Sequence, residues 1–189
     1  MLLLRAGAVV LSGLLAWYGA QAPSWTELLW LCHVSTALLI AGIALERAPL
    51  ASLAAVAYLG MGIPGWLIDL ALVRSTSPQS ALLHTLTPLF AVLAVRKLGY
   101  RADSWKRAWL LCAALMALCR LFTPRELNLN AAYHAYPPLE GLLTEWWSTW
   151  PVYFAFAAAF LYCGHLLVQR LTRRLPAQGQ REGQRGSPA

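Results

Sequence analysis

Polar or ionisable groups interrupt otherwise apolar stretches of this chain at the cluster Cys32, Ser35 and Thr36, and at His33, Asp69, His84 and Arg120. A charged or titratable side chain in hydrocarbon costs about 2.5–3.5 kcal/mol on insertion scales, so such groups turn to a bundle interior and mark function. A thiol becomes a nucleophile when a base or a positive neighbour stabilises its thiolate. A histidine titrating near neutrality is a suitable base, and a carboxylate orients that base. Cys, His and Asp together are therefore the ingredients of acyl transfer. His33, Asp69 and His84 are also zinc-ligand types, and such a site needs three protein ligands plus water. They come from separate segments, so no spacing marks a metal site.

Spacing assigns these groups to faces. Cys32, Ser35 and Thr36 fall at i, i+3 and i+4 and share one helical face. Ser and Thr in such helices commonly bond their own i−4 carbonyl. Cys32 and His33 are adjacent and do not face each other on a helix, so a base for Cys32 is expected from another helix. His84 is the best candidate. It opens His84-Thr85-Leu86-Thr87-Pro88, where the proline removes a backbone bond and exposes the His84 carbonyl. Asp69 follows Gly60-Met61-Gly62-Ile63-Pro64-Gly65-Trp66, and Gly62, Gly65 and Asp69 share a face on which small residues permit close helix approach. Asp69 needs a partner, either Arg120 in an ion pair or His84 in a nucleophile–base–orienter relay.

The elements that carry these residues read as membrane helices. The chain is 59% hydrophobic and 12% charged, where soluble domains carry about 25% charged residues. Apolar runs at 2–20, 26–45, 49–73, 80–95, 105–122 and 146–171 approach the roughly 20 residues needed to cross a bilayer. The expectation is an all-α polytopic membrane protein: a six-helix transmembrane bundle over 1–175 with a disordered cytoplasmic tail at 176–189, rich in Gln, Gly, Arg and Pro. Arg5, the following apolar run and Ala20-Gln21-Ala22 also fit a cleavable signal peptide.

With both termini cytoplasmic, Arg5, Arg47, Arg96, Lys97, Arg101, Lys106, Arg107 and the five arginines from Arg170 onward lie inside. Only Arg74, Arg120 and Arg125 lie outside. This is the positive-inside bias, and it accounts for the net charge of +7. The basic residues flank spans and build no stripe on a soluble face, so no nucleic-acid partner is expected. The four cysteines all fall within spans and no C-x-x-C occurs, which gives a redox pair or zinc knuckle no support. In this orientation Cys32, His33, Asp69, His84 and Arg120 share the outer-leaflet depth. The 23-residue loop 123–145 lies on the same side and carries Asn128, Asn130, Tyr133, His134, Tyr136, Pro137, Pro138 and Glu140. A loop of that length is more often functional than not. Trp146, Trp147 and Trp150 follow it as an interfacial aromatic belt.

Leu31-Cys32-His33-Val34, the segment from Gly62 to Asp69, and Leu83-His84-Thr85-Leu86-Thr87-Pro88 resemble the YwaF-like six-helix bacterial membrane proteins. So do Gly99-Tyr100-Arg101, Ser104-Trp105, Leu127-Asn128-Leu129-Asn130 and Trp150-Pro151-Val152-Tyr153, in the same order across 26–171. That family is related to the transmembrane protein 164 type, linked to acyl transfer in ether-phospholipid metabolism through a cysteine near a helix start, which Cys32 resembles. A more distant similarity is to the androgen-induced and androgen-dependent intramembrane hydrolases. Their His-Thr context is similar to His84-Thr85, and their Tyr-Pro-x-Leu-Glu segment to Tyr136-Pro137-Pro138-Leu139-Glu140. Their threonine has no secure match, and Thr36 is the nearest by position.

Two functions are expected to compete. The first is an intramembrane acyl-ester hydrolase or acyltransferase with Cys32 or Thr36 as nucleophile and His84 as base. Asp69 or His33 would orient, and Asn128 or Asn130 would donate to the oxyanion. Ser35, Arg120 and Tyr133 would contact a lipid admitted laterally from the outer leaflet. Membrane lipids are the expected partners, no cofactor is called for, and nothing specifies an oligomer. The second is a small transporter or lipid-binding subunit, for which Pro64 and Pro88 supply helix breaks but no inverted repeat accompanies them.

Overall fold

The computed structural model describes residues 1–73, 77–135, 143 and 145–172, without the side chains of 72, 73, 146 and 148. Arg74, Tyr136, Pro137, Pro138, Glu140 and the expected tail 176–189 lie outside the described residues. The regular structure described is entirely helical: α1 (Leu2–Gln21), α2 (Leu31–Ala44), α3 (Ala48–Ala57), α4 (Ile63–Val73), α5 (Pro78–Leu98), α6 (Ser104–Phe122) and α7 (Trp146–Thr172). Short 3-10 turns at Trp25–Leu29, Arg125–Leu127 and Leu129–Ala131 connect them, and a π-helical turn at Tyr58–Gly62 joins α3 to α4.

Local chemistry sets the helix ends. Pro23 holds Ala22 in extended backbone (φ −65°, ψ 137°) and stops α1. Ser24 then caps the first 3-10 turn by accepting from the Thr26 N–H at 3.2 Å. Pro78 opens α5, and the Ser77 side chain caps it by accepting from the Ser80 N–H at 3.3 Å. The π turn has its cause in Pro64, which offers no N–H to the carbonyl of Gly60. The Ile63 N–H reaches back five residues to the Tyr58 carbonyl, and the widened turn accommodates the proline.

Among the described residues four helical segments are long and apolar enough to cross a membrane: Leu2–Gln21, Ala48–Ala71, Pro78–Leu98 and Thr149–Thr172. Two of the expected six spans fall short of that standard. The second begins at Leu31 rather than 26, because the 3-10 turn occupies the intervening residues. Its 14 residues rise only about 21 Å at 1.5 Å each. α6 has the length, but Lys106, Arg107 and Arg120 break its apolar run. Large apolar side chains such as Leu3, Val9, Leu89, Leu110, Leu121 and Phe156 stay exposed on the helix surfaces, as lipid-facing groups do.

The α3–α4 rod is the central post, with half of its spanning window buried against 22–33% in the other three. Leu39, Ile43, Val56, Leu83, Val95 and Leu161 fill the core around it. Backbones approach closely at two places. A Cβ on Gly164 would lie 2.8 Å from the Gly60 Cα, so α7 rests directly on the π turn. A Cβ on Gly42 would lie 2.7 Å from the Ala51 nitrogen, where α2 and α3 meet. Gly65, expected at a close approach, has nothing within 4 Å of its Cβ position.

Candidate functional site

At the end of the bundle where α2 begins, a cavity of about 480 Å³ is bounded by α2, α4, α5, α6 and α7. Its volume suits a small-molecule or single-chain ligand. Cys32, His33, Asp69 and His84 all line it, and so does Asn130. Tyr18, Ser80 and Tyr153 add hydroxyls, and most of the remaining wall is apolar, including Met61, Leu115, Ala157 and Phe160. The absent neighbour noted at Gly65 is this cavity, which Gly65 lines. Cys32 and His33 both reach it although they are consecutive, from the first turn of α2.

Both histidines are fixed by one device. The Nδ1 of His84 meets the Ser80 carbonyl at 2.8 Å, and the Nδ1 of His33 meets the Glu27 carbonyl at 3.0 Å. A carbonyl only accepts, so each ring carries its proton on Nδ1, and the neutral imidazole keeps its lone pair on Nε2. Aromatic rings hold the planes. His84 stacks on Trp66 with centroids 4.9 Å apart and an 11° tilt, and His33 lies 4.1 Å from the Tyr18 ring. The two imidazoles are within electrostatic range of each other.

Cys32 stands in electrostatic range of Asp69 and packs over Gly62, whose Cβ position is 3.5 Å from the Cys32 Cβ. Thr36, the alternative nucleophile, is fully buried and off the cavity wall. Its hydroxyl donates to the Cys32 carbonyl at 2.9 Å and lies 3.2 Å from the Thr87 hydroxyl. Nearby, Tyr58 donates to the Leu83 carbonyl at 3.1 Å. Ser35 is also fully buried away from the cavity, and its Oγ has no hydrogen-bond partner among the described residues. The Thr36–Thr87 contact joins α2 to α5, and none of Thr36, Ser35 and Tyr58 lines the space a substrate would occupy.

The Asp69–Arg120 pair does not form. Among the described residues the ion pairs are Arg5–Glu46 at 2.9 Å and Arg107–Asp103 at 2.6 Å. The Arg120 guanidinium instead lies over the Tyr133 ring, 4.6 Å from its centroid. Asp69 is half-buried on the cavity wall.

The loop after α6 proves to be a clamp. Asn130 accepts from the Leu31 N–H at 3.0 Å, and its amide donates to the Leu29 carbonyl at 2.8 Å and to the Cys119 Sγ at 3.4 Å. It thereby caps α2 from 99 positions away. With both N–H groups engaged, its amide is not a free oxyanion donor. Asn128, in left-handed backbone (φ 40°), accepts from the Tyr133 and His134 N–H groups and donates to the His134 carbonyl. Tyr133 donates to the carbonyls of Arg120, Cys119 and Thr123 at the end of α6. Neither Asn128 nor Tyr133 lines the cavity, and nor does Arg120. These residues hold the beginning of α2 against the end of α6, so they position Cys32 and His33.

Sequence reasoning missed Tyr18, Glu27 and Trp66. Tyr18 donates to the Glu27 carboxylate at 3.0 Å and lines the cavity beside His33. Its position near the end of an apolar run is that of an ordinary interfacial tyrosine, which carries no site signal. Trp66 adjoins the glycines already singled out, but its stack on His84 links residues 18 positions apart. Among the described residues no group of three His, Cys, Asp or Glu stands close enough to hold a metal ion. Comparison with protein-family models, with curated proteins and with solved structures returns no match.

Proposed function

We propose that this chain is a multi-pass cell-membrane protein, crossing six times with both termini cytoplasmic, that transfers or hydrolyses lipid acyl esters. It would be kin to the YwaF-like proteins its motifs resemble. The observation that carries the reading is one apolar cavity lined at once by Cys32, His33, Asp69 and His84.

The chemistry runs in two halves. The Cys32 thiol gives its proton to the His84 Nε2 while the sulfur attacks the acyl carbonyl carbon. The tetrahedral intermediate collapses, the C–O bond breaks, and the departing alkoxide takes the proton from His84. A second hydroxyl, from water or from a lipid alcohol, then attacks the thioester with His84 again as base, and the thiol is restored. The hydrogen bond to Ser80 presets His84 for this role by holding its proton on Nδ1. Asp69 and His33 supply the polar surroundings, and Asn130 secures the helix start that carries the thiol.

Full-length protein in nanodiscs, given an isotope-labelled acyl phospholipid and a lysolipid acceptor, tests the reading through the lipid products. Turnover should fall by about 10²–10⁴-fold in His84→Ala, and undiminished turnover in that variant would sink the mechanism. A transport reading draws on the π turn between α3 and α4, while α5 runs unbroken through Pro88. Proton-coupled solute flux that needs Asp69 and ignores Cys32 would favour it.

A further inference from the structure

The hydrogen-bonding character of the cavity bears on which lipid it takes. Resting on the acyl-ester reading, we propose that the cavity binds a neutral lipid whose headgroup donates hydroxyl hydrogen bonds, a glycerol-type alcohol, with its chain leaving the bundle between α4 and α7.

The polar end of the cavity is built from acceptors. The carbonyls of Glu27 and Ser80 hold the Nδ1 protons of His33 and His84, so both rings present Nε2 lone pairs. Asp69 adds a carboxylate that enters no ion pair among the described residues. Two of the donors beside these groups are already used. The Tyr18 hydroxyl serves Glu27, and the Asn130 amide serves Leu29 and Cys119. A phosphate or carboxylate would bring further acceptors and no donors, and its desolvation would go uncompensated. An ammonium could donate to these acceptors, but it would give up its water shell against one half-buried carboxylate, which compensates its desolvation poorly. A neutral polyol headgroup brings O–H donors for the His33, His84 and Asp69 acceptors, and its oxygens can accept from the Ser80 hydroxyl that also lines the cavity.

The exit for the chain follows from exposure. Ile68 on α4 and Phe156 and Phe160 on α7 line the cavity, yet they are 45%, 51% and 41% exposed. They belong both to the inner wall and to the lipid-facing surface. The π turn packs on α7, whereas α4 beyond it makes few close contacts with other helices. The seam between α4 and α7 is thus where the cavity meets the bilayer. Gly65 faces into the cavity with nothing within 4 Å of its Cβ position, so a larger side chain there occupies ligand space without displacing protein.

The test is photolabelling of the full-length protein in nanodiscs. Three probes carry the same diazirine-bearing chain on monoacylglycerol, on phosphatidic acid or on a primary-amine headgroup. Mass spectrometry locates the adducts. Monoacylglycerol should label the α4 and α7 peptides holding Ile68, Phe156 and Phe160 about tenfold more than either charged probe, the scale of one or two unmet hydrogen bonds. Gly65→Leu should abolish that labelling while circular dichroism and melting stay unchanged. Equal or stronger labelling by phosphatidic acid or the amine, or adducts confined to other helices, would overturn the inference. The competition among probes needs no variant, so misfolding cannot blur it. Labelling at the seam without turnover would leave this inference standing and defeat the acyl-ester reading. Turnover without labelling at the seam would do the reverse.

Discussion

His84 and His165 are both buried histidines packed on aromatic rings, at opposite ends of the bundle, and they are built for different ends. His84 turns Nδ1 to a backbone carbonyl of its own helix and borders open space. His165 meets the Tyr100 hydroxyl through Nδ1, stacks on Tyr162 and lies off the wall of that cavity. Burial and the Asp103 carboxylate push the Tyr100 phenol up to about 12, so it keeps its proton through the neutral range and can supply it to His165. His165 therefore reads as a strut that ties the α5–α6 connection to α7. The difference teaches that a buried titratable residue marks a site when its remaining lone pair has somewhere to act. Burial alone does not distinguish the two.

Four substitutions sharpen or break this contrast. Cys32→Ala removes the nucleophile at the cavity end and should lower acyl turnover by ~10³-fold or more, measured as labelled lipid product, with melting in detergent nearly unchanged. Gly164→Leu forces a side chain into the Gly60 backbone. It should destabilise by about 1–3 kcal/mol, seen as a lower melting temperature. Asn130→Ala leaves the Leu31 N–H and the Leu29 carbonyl without their partner. Losing both should lower stability by about 1–3 kcal/mol, and turnover should fall with it because α2 no longer holds Cys32 in place. Tyr100→Phe deletes one hydrogen bond at the far end and should cost about 1 kcal/mol with turnover untouched. A loss of turnover in Tyr100→Phe comparable to that of Asn130→Ala would erase the distinction between the two ends.

The sequence made the cavity end legible because its background is apolar. Cys32, His33, Asp69 and His84 stand out against hydrocarbon-like runs, and counting 1.5 Å per residue from each run's end brings them to one depth. Their helices were equally visible in the runs themselves. Local periodicity does not hold the rest. The 3-10 turn at Trp25–Leu29 carries residues that a helix also accepts and reads as helix until Asn130 is seen capping the next one. Pro64 announced a break, but not that a π turn would absorb it. Gly62 and Gly65 have helical spacing for a packing face, yet Gly60 makes the close approach, because its partner Gly164 lies far along the chain. Arg120 was assigned to Asp69 by charge and depth, and the Tyr133 ring that it covers comes from a loop whose course no pattern predicts.

The central claim is that Cys32 carries an acyl group in a cavity shared with His84. Intact-mass spectrometry of the protein, quenched in acid after incubation in nanodiscs with an isotope-labelled acylglycerol, reads that group directly. The account predicts a labelled acyl adduct on the Cys32 peptide that hydroxylamine releases, that an acceptor lipid discharges, and that Cys32→Ala lacks. Labelled product formed without any adduct on Cys32, or an adduct unaffected by Cys32→Ala, would contradict it.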